Sequence, residues 1–523
     1  MRGEWIGARI PWNTPALDVI PVLVALLTAA LHLAFAHNYG YFRDELYFIA
    51  CARHLAWGYP DQPPLVALLA LLSRPFGWNL LVLRAGAAVA AGLDVIVVAT
   101  IVGEIGGERF ARALAAISVA VLPAYLSLGS VLTTTSLEPL TWSLVALQAL
   151  RLQRTPTSLN GALLGAAIAF GAYGKYSMLL WALALVVGVL ASPQREVLRS
   201  RAAFTALVVA LVALAPNILW QASHHWPFLA VIHADFANRH PFNNGWQLEY
   251  HGFLTNSLAF LLEQLAFTNP LVAPLWIAGI AISLRDPRLR TFGVAFLLTL
   301  VVALALEGKG YYVIGLYGTA IAIGSVAFER ATSTSRARRS VVMAGILLSA
   351  LLILPLAAPV LPVDTLIAYT RVLGLTGRDG SAPQLIQPLF AEEFGWRRMA
   401  ADVARLYHAL PARTRAQTAI YADTYADAGA IDRFGTNFAL PKAIGSQNAY
   451  WLWVMHGYRL REVIALGASR ETLLFHAFAT CRLLGTTTDR YRTVVEGPTP
   501  IFLCSGPRIS RRALWRSLRW YGA

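Results

Sequence analysis

The sequence predicts a polytopic α-helical membrane protein with a mixed α/β domain at its C-terminal end. Three observations carry this. The 523 residues are 57% hydrophobic and only 14% charged, far too apolar for a soluble protein. Runs such as 17–36, 81–102, 202–220 and 341–361 reach the roughly 18–20 apolar residues that cross a bilayer. Beyond residue 364 the pattern changes to short mixed segments.

The spans are ordered by their arginines. Arg2 and Arg9 precede the first run. Further arginines cluster in short loops: Arg109 and Arg112; Arg151 and Arg154; Arg195, Arg199 and Arg201; Arg285, Arg288 and Arg290; Arg330, Arg336, Arg338 and Arg339. The positive-inside rule puts these loops in the cytoplasm, faces the segments 37–80, 129–138, 172–177, 223–256 and 307–312 outward, and gives about eleven spans. The chain after Pro362 then lies outside. The net charge of +15 therefore orients the protein and is not a nucleic-acid footprint. Ala34-Phe35-Ala36 has the small residues of a leader cleavage site, but the run before it is long for a leader, so it is kept as a first span.

Residues 1–364 are expected to form the membrane domain, with a first outer loop, 37–80, carrying interfacial helices. Gly171-Ala172-Tyr173-Gly174-Lys175-Tyr176-Ser177 interrupts one run near its middle, which reads as a helical hairpin with its tip at the outer face. Residues 365–523 are expected to form an extracytoplasmic α/β domain, with a helix over 392–410 ending at Pro411, strands at 418–421 and 501–504, and a helix at 473–477. The basic, amphipathic tail from Arg511 to Trp520 could lie on anionic headgroups or fray into solvent. Cys481 and Cys504 could pair in an exported domain or stay as buried thiols, and Cys51 has no obvious partner.

The residues that could carry chemistry sit on the predicted outer face. Tyr41-Phe42-Arg43-Asp44-Glu45-Leu46-Tyr47 is followed by Trp57-Gly58-Tyr59-Pro60-Asp61-Gln62-Pro63-Pro64. Two adjacent carboxylates beside a span are costly and serve chemistry or ion handling, or else merely cap a helix in a solvated loop. The crowd of aromatics and prolines favours a loop packed on the membrane, where a desolvated acid acquires the raised pKa of a general base. The chain uses arginine almost exclusively, yet Lys175 and Lys309 stand in glycine-flanked, tyrosine-rich turns: Gly174-Lys175-Tyr176 and Gly308-Lys309-Gly310-Tyr311-Tyr312. Each could be a lysine snorkelling at a span end, or a compact charge in a turn that a phosphate can approach. Glu138 opens a span in the second outer loop, where it could simply face the helix dipole. His224, His225, His233, His240 and His251, with Asp235 and Glu249, match no zinc spacing, and His225-Trp226-Pro227 fits an interfacial anchor.

These motifs, together with Pro216-Asn217-Ile218-Leu219-Trp220-Gln221 and, in the C-terminal part, Phe394-Gly395-Trp396 and Tyr450-Trp451-Leu452-Trp453, resemble the polyprenyl-phosphate-sugar-dependent glycosyltransferases of the C-type fold. That group includes protein O-mannosyltransferases and the lipid A aminoarabinose transferase. The resemblance implies an inverting hexosyl- or pentosyltransferase in the inner (plasma) membrane. It would move sugar from a polyprenyl-phosphate donor to a lipid, glycan or protein hydroxyl. It makes Asp44 the base, Glu45 the completion of the acidic motif and Glu138 the second-loop acid, which is usually aspartate in the family. Lys309 would face the donor phosphate, with Lys175 a further cation, and Tyr311, Tyr312, Tyr59, Asp61 and Arg43 would line the substrate site. No cofactor is required, though a divalent metal could assist. The runner-up, a lipid-linked sugar flippase, would use repeated halves with paired broken helices. The sequence shows one clear break and no internal symmetry.

Overall fold

The computed structural model describes residues 18–237, 253–375, 377–379, 382–453, 461–467, 471–493 and 498–522. His240, Glu249 and His251 lie outside the described residues, as do Arg2 and Arg9.

The membrane part runs α1 (Val19–Ala34), α2 (Arg43–Arg53), α3 (Leu65–Leu71), α4 (Leu80–Glu104), α5 (Arg109–Ala120), α6 (Pro123–Gly129), α7 (Glu138–Arg154), α8 (Ser158–Gly174) and α9 (Ser177–Leu190). It continues with α10 (Arg201–Ser223), α11 (Pro227–Ala237), α12 (Phe253–Phe267), α13 (Ala273–Arg285), α14 (Arg290–Ala305), α15 (Tyr317–Ala331) and α16 (Arg336–Ala357). Among the described residues, four helical stretches are long and apolar enough to cross a membrane alone: α4, α10, Gly310–Ala331 and α16. Three further pairs pass only as bent units, α5 with α6, α9 with the turn Pro193–Arg199, and α13 with α14. Helices α1 and α8 are apolar but shorter. The sequence marked the break between α8 and α9 and, by their arginines, the turns at 193–199 and 286–289; the bend at 121–122 falls on Val121 and Leu122, which leave the apolar pattern intact. Lys175 is extended between α8 and α9, with φ −159° and ψ 139°.

Small residues let the helices approach. A Cβ on Gly161 or Gly165 of α8 would collide with the carbonyl oxygens of Ala202 and Ala206 on α10. Gly279 of α13 and Gly324 of α15 stand likewise against Ala320 and Leu275. This spacing of small residues is how helices pack when lipid removes the hydrophobic driving force. Leu207, Leu211 and Val212 of α10, and Leu348 and Leu351 of α16, remain exposed, a lipid-facing surface.

The arginine loops gather at one end of the bundle. Glu104 at the end of α4 pairs with Arg151 (2.9 Å) and Arg154 (2.6 Å), and Asp18 before α1 pairs with Arg112 (3.0 Å). The start of α4 and helices α2 and α3 occupy the other end.

On that other end sits the C-terminal domain: α17 (Val363–Val372), a hairpin of β1 (Gly377–Asp379) and β2 (Ala382–Gln384), α18 (Pro388–Ala391), α19 (Trp396–His408) and α20 (Ala412–Arg415). Then come β3 (Thr418–Ala422), α21 (Tyr425–Phe434), β4 (Ala443–Gly445), α22 (Ala449–Leu452), β5 (Glu462–Leu466), α23 (Glu471–Ala477), β6 (Phe478–Thr487), β7 (Thr499–Pro507) and α24 (Arg511–Ser517). The sheet order is β4-β3-β5-β7-β6, parallel across β4, β3 and β5 and antiparallel from β5 outward. All five residues of β3 are buried, which explains their continuous apolar pattern. Cys481 and Cys504 stand opposite each other on β6 and β7 and form a disulfide, while Cys51 is a buried free thiol.

The outer loop and this domain share one core. Leu46, Phe48 and Ile49 of α2 pack in the same buried cluster as Met399, Val403, Ile420 and Ile431. Gly429 of α21 admits the backbone of Leu46 so closely that a Cβ there would lie 2.8 Å from its carbonyl carbon. The tail differs from both sequence expectations. Leu514 and Leu518 are buried against the sheet with Leu474 and Phe478, so the apolar stripe of α24 is satisfied by protein.

Candidate functional site

The site begins where α1 ends and the chain turns into α2. Glu45 reaches back to the N–H of Phe42 (2.8 Å), closing the first turn of α2. Its other contacts come from Arg84 of α4, whose Nε donates to Oε1 (2.8 Å) and Nη2 to Oε2 (2.9 Å), and from the N–H of Leu132 (3.0 Å). Arg84 also donates to the carbonyls of Ala36 (3.0 Å) and Gly40 (2.8 Å) and to Glu393 of the C-terminal domain (2.9 Å). Glu45 is 0% exposed and Arg84 1% exposed. A carboxylate whose acceptor sites are all filled is fixed in place, so this pair locks the first and second outer loops and the C-terminal domain at one point.

Asp44 points the other way. Its side chain is 30% exposed, and its Oδ1 accepts the hydroxyl of Tyr425 at 2.8 Å. Burial among protein raises its pKa above the ordinary carboxylate range; Arg43, the Tyr425 hydrogen bond and the charge of Lys309 pull it back. Asp44 and Lys309 therefore lie in one electrostatic neighbourhood. Arg43 stacks its guanidinium over the Tyr425 ring (5.3 Å) and pairs with Glu392 (3.2 Å).

Lys175 bridges the second group. Its Nζ donates to Glu138 (3.0 Å) and Thr135 (2.9 Å) and sits over the rings of Tyr312 (4.9 Å) and Tyr311 (5.4 Å). Ser177 gives Glu138 its second hydrogen bond. The Tyr311 hydroxyl lies in the field of both Asp44 and Glu138, so it stands near both groups.

Asp61 accepts from Tyr47 (2.8 Å) and Asn448 (3.2 Å), and burial pushes its pKa up to about 7, opposed by those hydrogen bonds. Tyr59 is not open to a ligand: it is 1% exposed, its hydroxyl donates to the Cys51 carbonyl (2.9 Å), and its own carbonyl accepts from Gln221 (3.1 Å). His224 stacks on Trp220 (4.1 Å). Among the described residues no three His, Cys, Asp or Glu side chains gather to hold a metal ion, and no step below uses one.

Comparison with known proteins agrees with this architecture. Two crystal structures of ArnT from Cupriavidus metallidurans, one in the apo state and one bound to undecaprenyl phosphate, superpose with TM-scores of 0.55 and 0.53. Their sequence identities are 15% and 14%, and each alignment covers 94% of this chain and 99% of that one. The likeness establishes the fold. Residues 61–220 match the family model described as dolichyl-phosphate-mannose-protein mannosyltransferase. The chain has the fold of these membrane proteins, and its residues 61–220 are similar to that mannosyltransferase family. No curated protein matches it in sequence.

The motif residues Asp44, Lys309, Tyr311, Tyr312, Lys175 and Glu138 gather at one end of the bundle, with Asp61 and Arg43 beside them. Glu45 and Tyr59 are turned into the framework. Sequence reasoning missed Arg84, although a charge inside the apolar run 81–102 was a visible signal. It also missed Tyr425 and Asn448, for which no local pattern exists: their roles depend on domain contacts spanning most of the chain.

Proposed function

We propose that the enzyme transfers a sugar from a polyprenyl phosphate to an acceptor hydroxyl, with inversion, on the extracytoplasmic face. The observation that supports this is that the charge of Lys309 acts on Asp44, which brings a candidate base and a cation into one electrostatic neighbourhood beside the tyrosine-lined Lys175–Glu138 pair. Asp44 takes the proton of the acceptor hydroxyl. The freed oxygen forms its bond to the anomeric carbon from the side opposite the phosphate. The carbon–oxygen bond to the phosphate breaks, its electron pair leaving on the phosphate oxygen. Lys309, supported by Lys175, offsets the charge that grows there. A positioned base contributes roughly 10²–10⁴-fold. Asp61 and Arg43 orient the substrates, whereas Glu45 acts by holding α2. Burial of Glu138 against Lys175 makes it a partner that positions the lysine.

Two features support the outer face. Cys481 and Cys504 are paired, as an oxidising compartment allows, and the arginine loops lie at the opposite end of the bundle. The polyprenyl-phosphate donor is supported by the ligand of one similar structure, ArnT bound to undecaprenyl phosphate.

The test is incubation of purified protein with radiolabelled polyprenyl-phosphate sugar and an acceptor extract. Release of polyprenyl phosphate that stops in Asp44→Asn supports transfer. Transbilayer movement of intact lipid-sugar without release supports the flippase alternative.

A further inference from the structure

The last residues of the chain pass directly beneath the segment that holds both acids. Trp520 pairs with Gln447 in parallel bridge register, its N–H donating to the Ser446 carbonyl (3.2 Å) and its carbonyl accepting from the Asn448 N–H (2.9 Å). Gln447 Nε2 donates to the Gly522 carbonyl (2.8 Å), and the Gly522 N–H donates to Asn448 Oδ1 (3.2 Å). Ser446, Gln447 and Asn448 are all buried, Asn448 at 2% exposure.

From this support the segment reaches the site twice. Asn448 Nδ2 donates to Asp61 (3.2 Å), and the adjacent Ala449 N–H donates to the Tyr47 hydroxyl (3.1 Å), which itself donates to Asp61. Gln447 Oε1 accepts the N–H of Tyr425 (2.8 Å), the residue whose hydroxyl binds Asp44. Asn448 holds φ 51° and ψ −128°, a backbone region that favours glycine. Such strain persists only where surroundings over-determine it, and it clusters where placement matters.

We infer that the C-terminal end is a strap that positions Asp61 and Asp44 through Asn448 and Gln447, in service of the acceptor hydroxyl. This rests on the site assignment proposed above. Asn448 and Gln447 are positioning residues, touching the acids or their partners and not the reacting atoms. A glycosyltransferase acting on a large hydroxyl acceptor needs its acceptor side fixed. Here the fixing element comes from a domain outside the bundle.

An ionised Asp61 is the stronger acceptor for a substrate hydroxyl, because a hydrogen bond to a charged oxygen is charge-assisted. It faces Tyr47 and Asn448 and feels the charge of Asp44, while Cys51, Tyr59 and Tyr176 lie within its own field. Loss of the Asn448 donor destabilises the carboxylate and carries its titration upward.

The experiment compares the full chain with two variants, Asn448→Gly, which keeps the backbone conformation, and a chain lacking residues 521–523. Each is assayed with a saturating polyprenyl-phosphate sugar and varied acceptor. Acceptor kcat/KM is expected to fall about tenfold or more, as misplacement of a positioned group costs. The acid limb of its pH profile should move to higher pH, while donor KM stays unchanged. Unchanged acceptor kinetics and pH profile in both variants would overturn the strap. So would a loss of activity that follows a lowered unfolding midpoint with the acid limb unmoved. The parent site is checked separately: full activity in both Asp44→Asn and Asp61→Asn would remove the site assignment, a result distinguishable from an inert tail.

Discussion

Tyr425 donates its hydroxyl to Asp44 at 2.8 Å across 381 residues of sequence. A base proposed from the first outer loop is thus held by a helix of the C-terminal domain, and the two regions cannot be separated functionally. Asp44→Asn keeps the shape of the side chain and its contact with Tyr425 but removes the base. Transfer should fall by roughly 10²–10⁴-fold. Donor binding, followed by fluorescence or by photo-crosslinking to a polyprenyl phosphate, should persist. Full turnover in this variant would remove Asp44 from the mechanism.

The pH dependence follows from the same contact. Asp44 acts as a base only when ionised, and its pKa lies above the ordinary carboxylate range because of burial. Activity should therefore rise with pH along a limb set above the roughly 4 of a free aspartate. Tyr425 stabilises the ionised form, so Tyr425→Phe raises the pKa and carries that limb to higher pH. A limb that moved to lower pH, measured with saturating donor, would contradict the assignment.

The parts legible in the sequence are those encoded locally. Apolar runs, arginine-rich loops, the break at Lys175 and the strands at 418–421 and 501–504 each depend on residues near one another, and the structure has helices and strands at those places. Asp44, Lys309 and Lys175 could be singled out because a rare charge in a glycine- and tyrosine-rich turn is conspicuous. The division of labour inside the acidic pair was not legible. Asp44 and Glu45 differ by one helical step of about 100°, and only the position of Arg84 determines which carboxylate is consumed by the framework. The tail misled for a similar reason. An amphipathic stripe specifies an apolar partner, and lipid and β-sheet satisfy it equally well.

Arg84 is the natural place to test the framework. It serves Glu45, Glu393 and two carbonyls while almost wholly buried. Removing one partner of a buried charge pair costs about 3–5 kcal/mol, because the remaining charges stay desolvated. Arg84→Met should lower the thermal unfolding midpoint in detergent and loosen the C-terminal domain, seen as faster proteolysis between residues 365 and 395. Asp44→Asn should do neither. Equal midpoints for the two variants would mean that the Arg84 cluster is not a joint.

Lys309 and Lys175 should separate kinetically. Lys309 lies in the field of Asp44, whereas Lys175 is committed to Glu138 and the two tyrosine rings. Lys309→Ala should raise the donor KM with little effect on acceptor KM. Lys175→Met leaves Glu138 buried without its cation, so it should reduce both protein yield and kcat. Double substitution of Lys175 and Glu138 by Met and Gln should recover the yield but not the rate, a split measurable by expression level against single-turnover transfer.

The disulfide offers a prediction independent of catalysis. Cys481 and Cys504 enclose a separation of 23 residues and join the outermost strand to the sheet. On the chain-entropy account, closing a loop of that size stabilises by about 3 kcal/mol. The strands carry no residue of the proposed site, so Cys481→Ser with Cys504→Ser should lower the unfolding midpoint while leaving kcat at low temperature close to the parent value. Reductant should reproduce the shift in the parent and do nothing to the double variant. Thiol trapping after growth should find only Cys51 unpaired, and then only once the protein is unfolded, because that thiol is buried. If both C-terminal cysteines were trapped as free thiols in intact cells, the domain would have to lie on the reducing side. The topology built on the arginine loops would then be inverted.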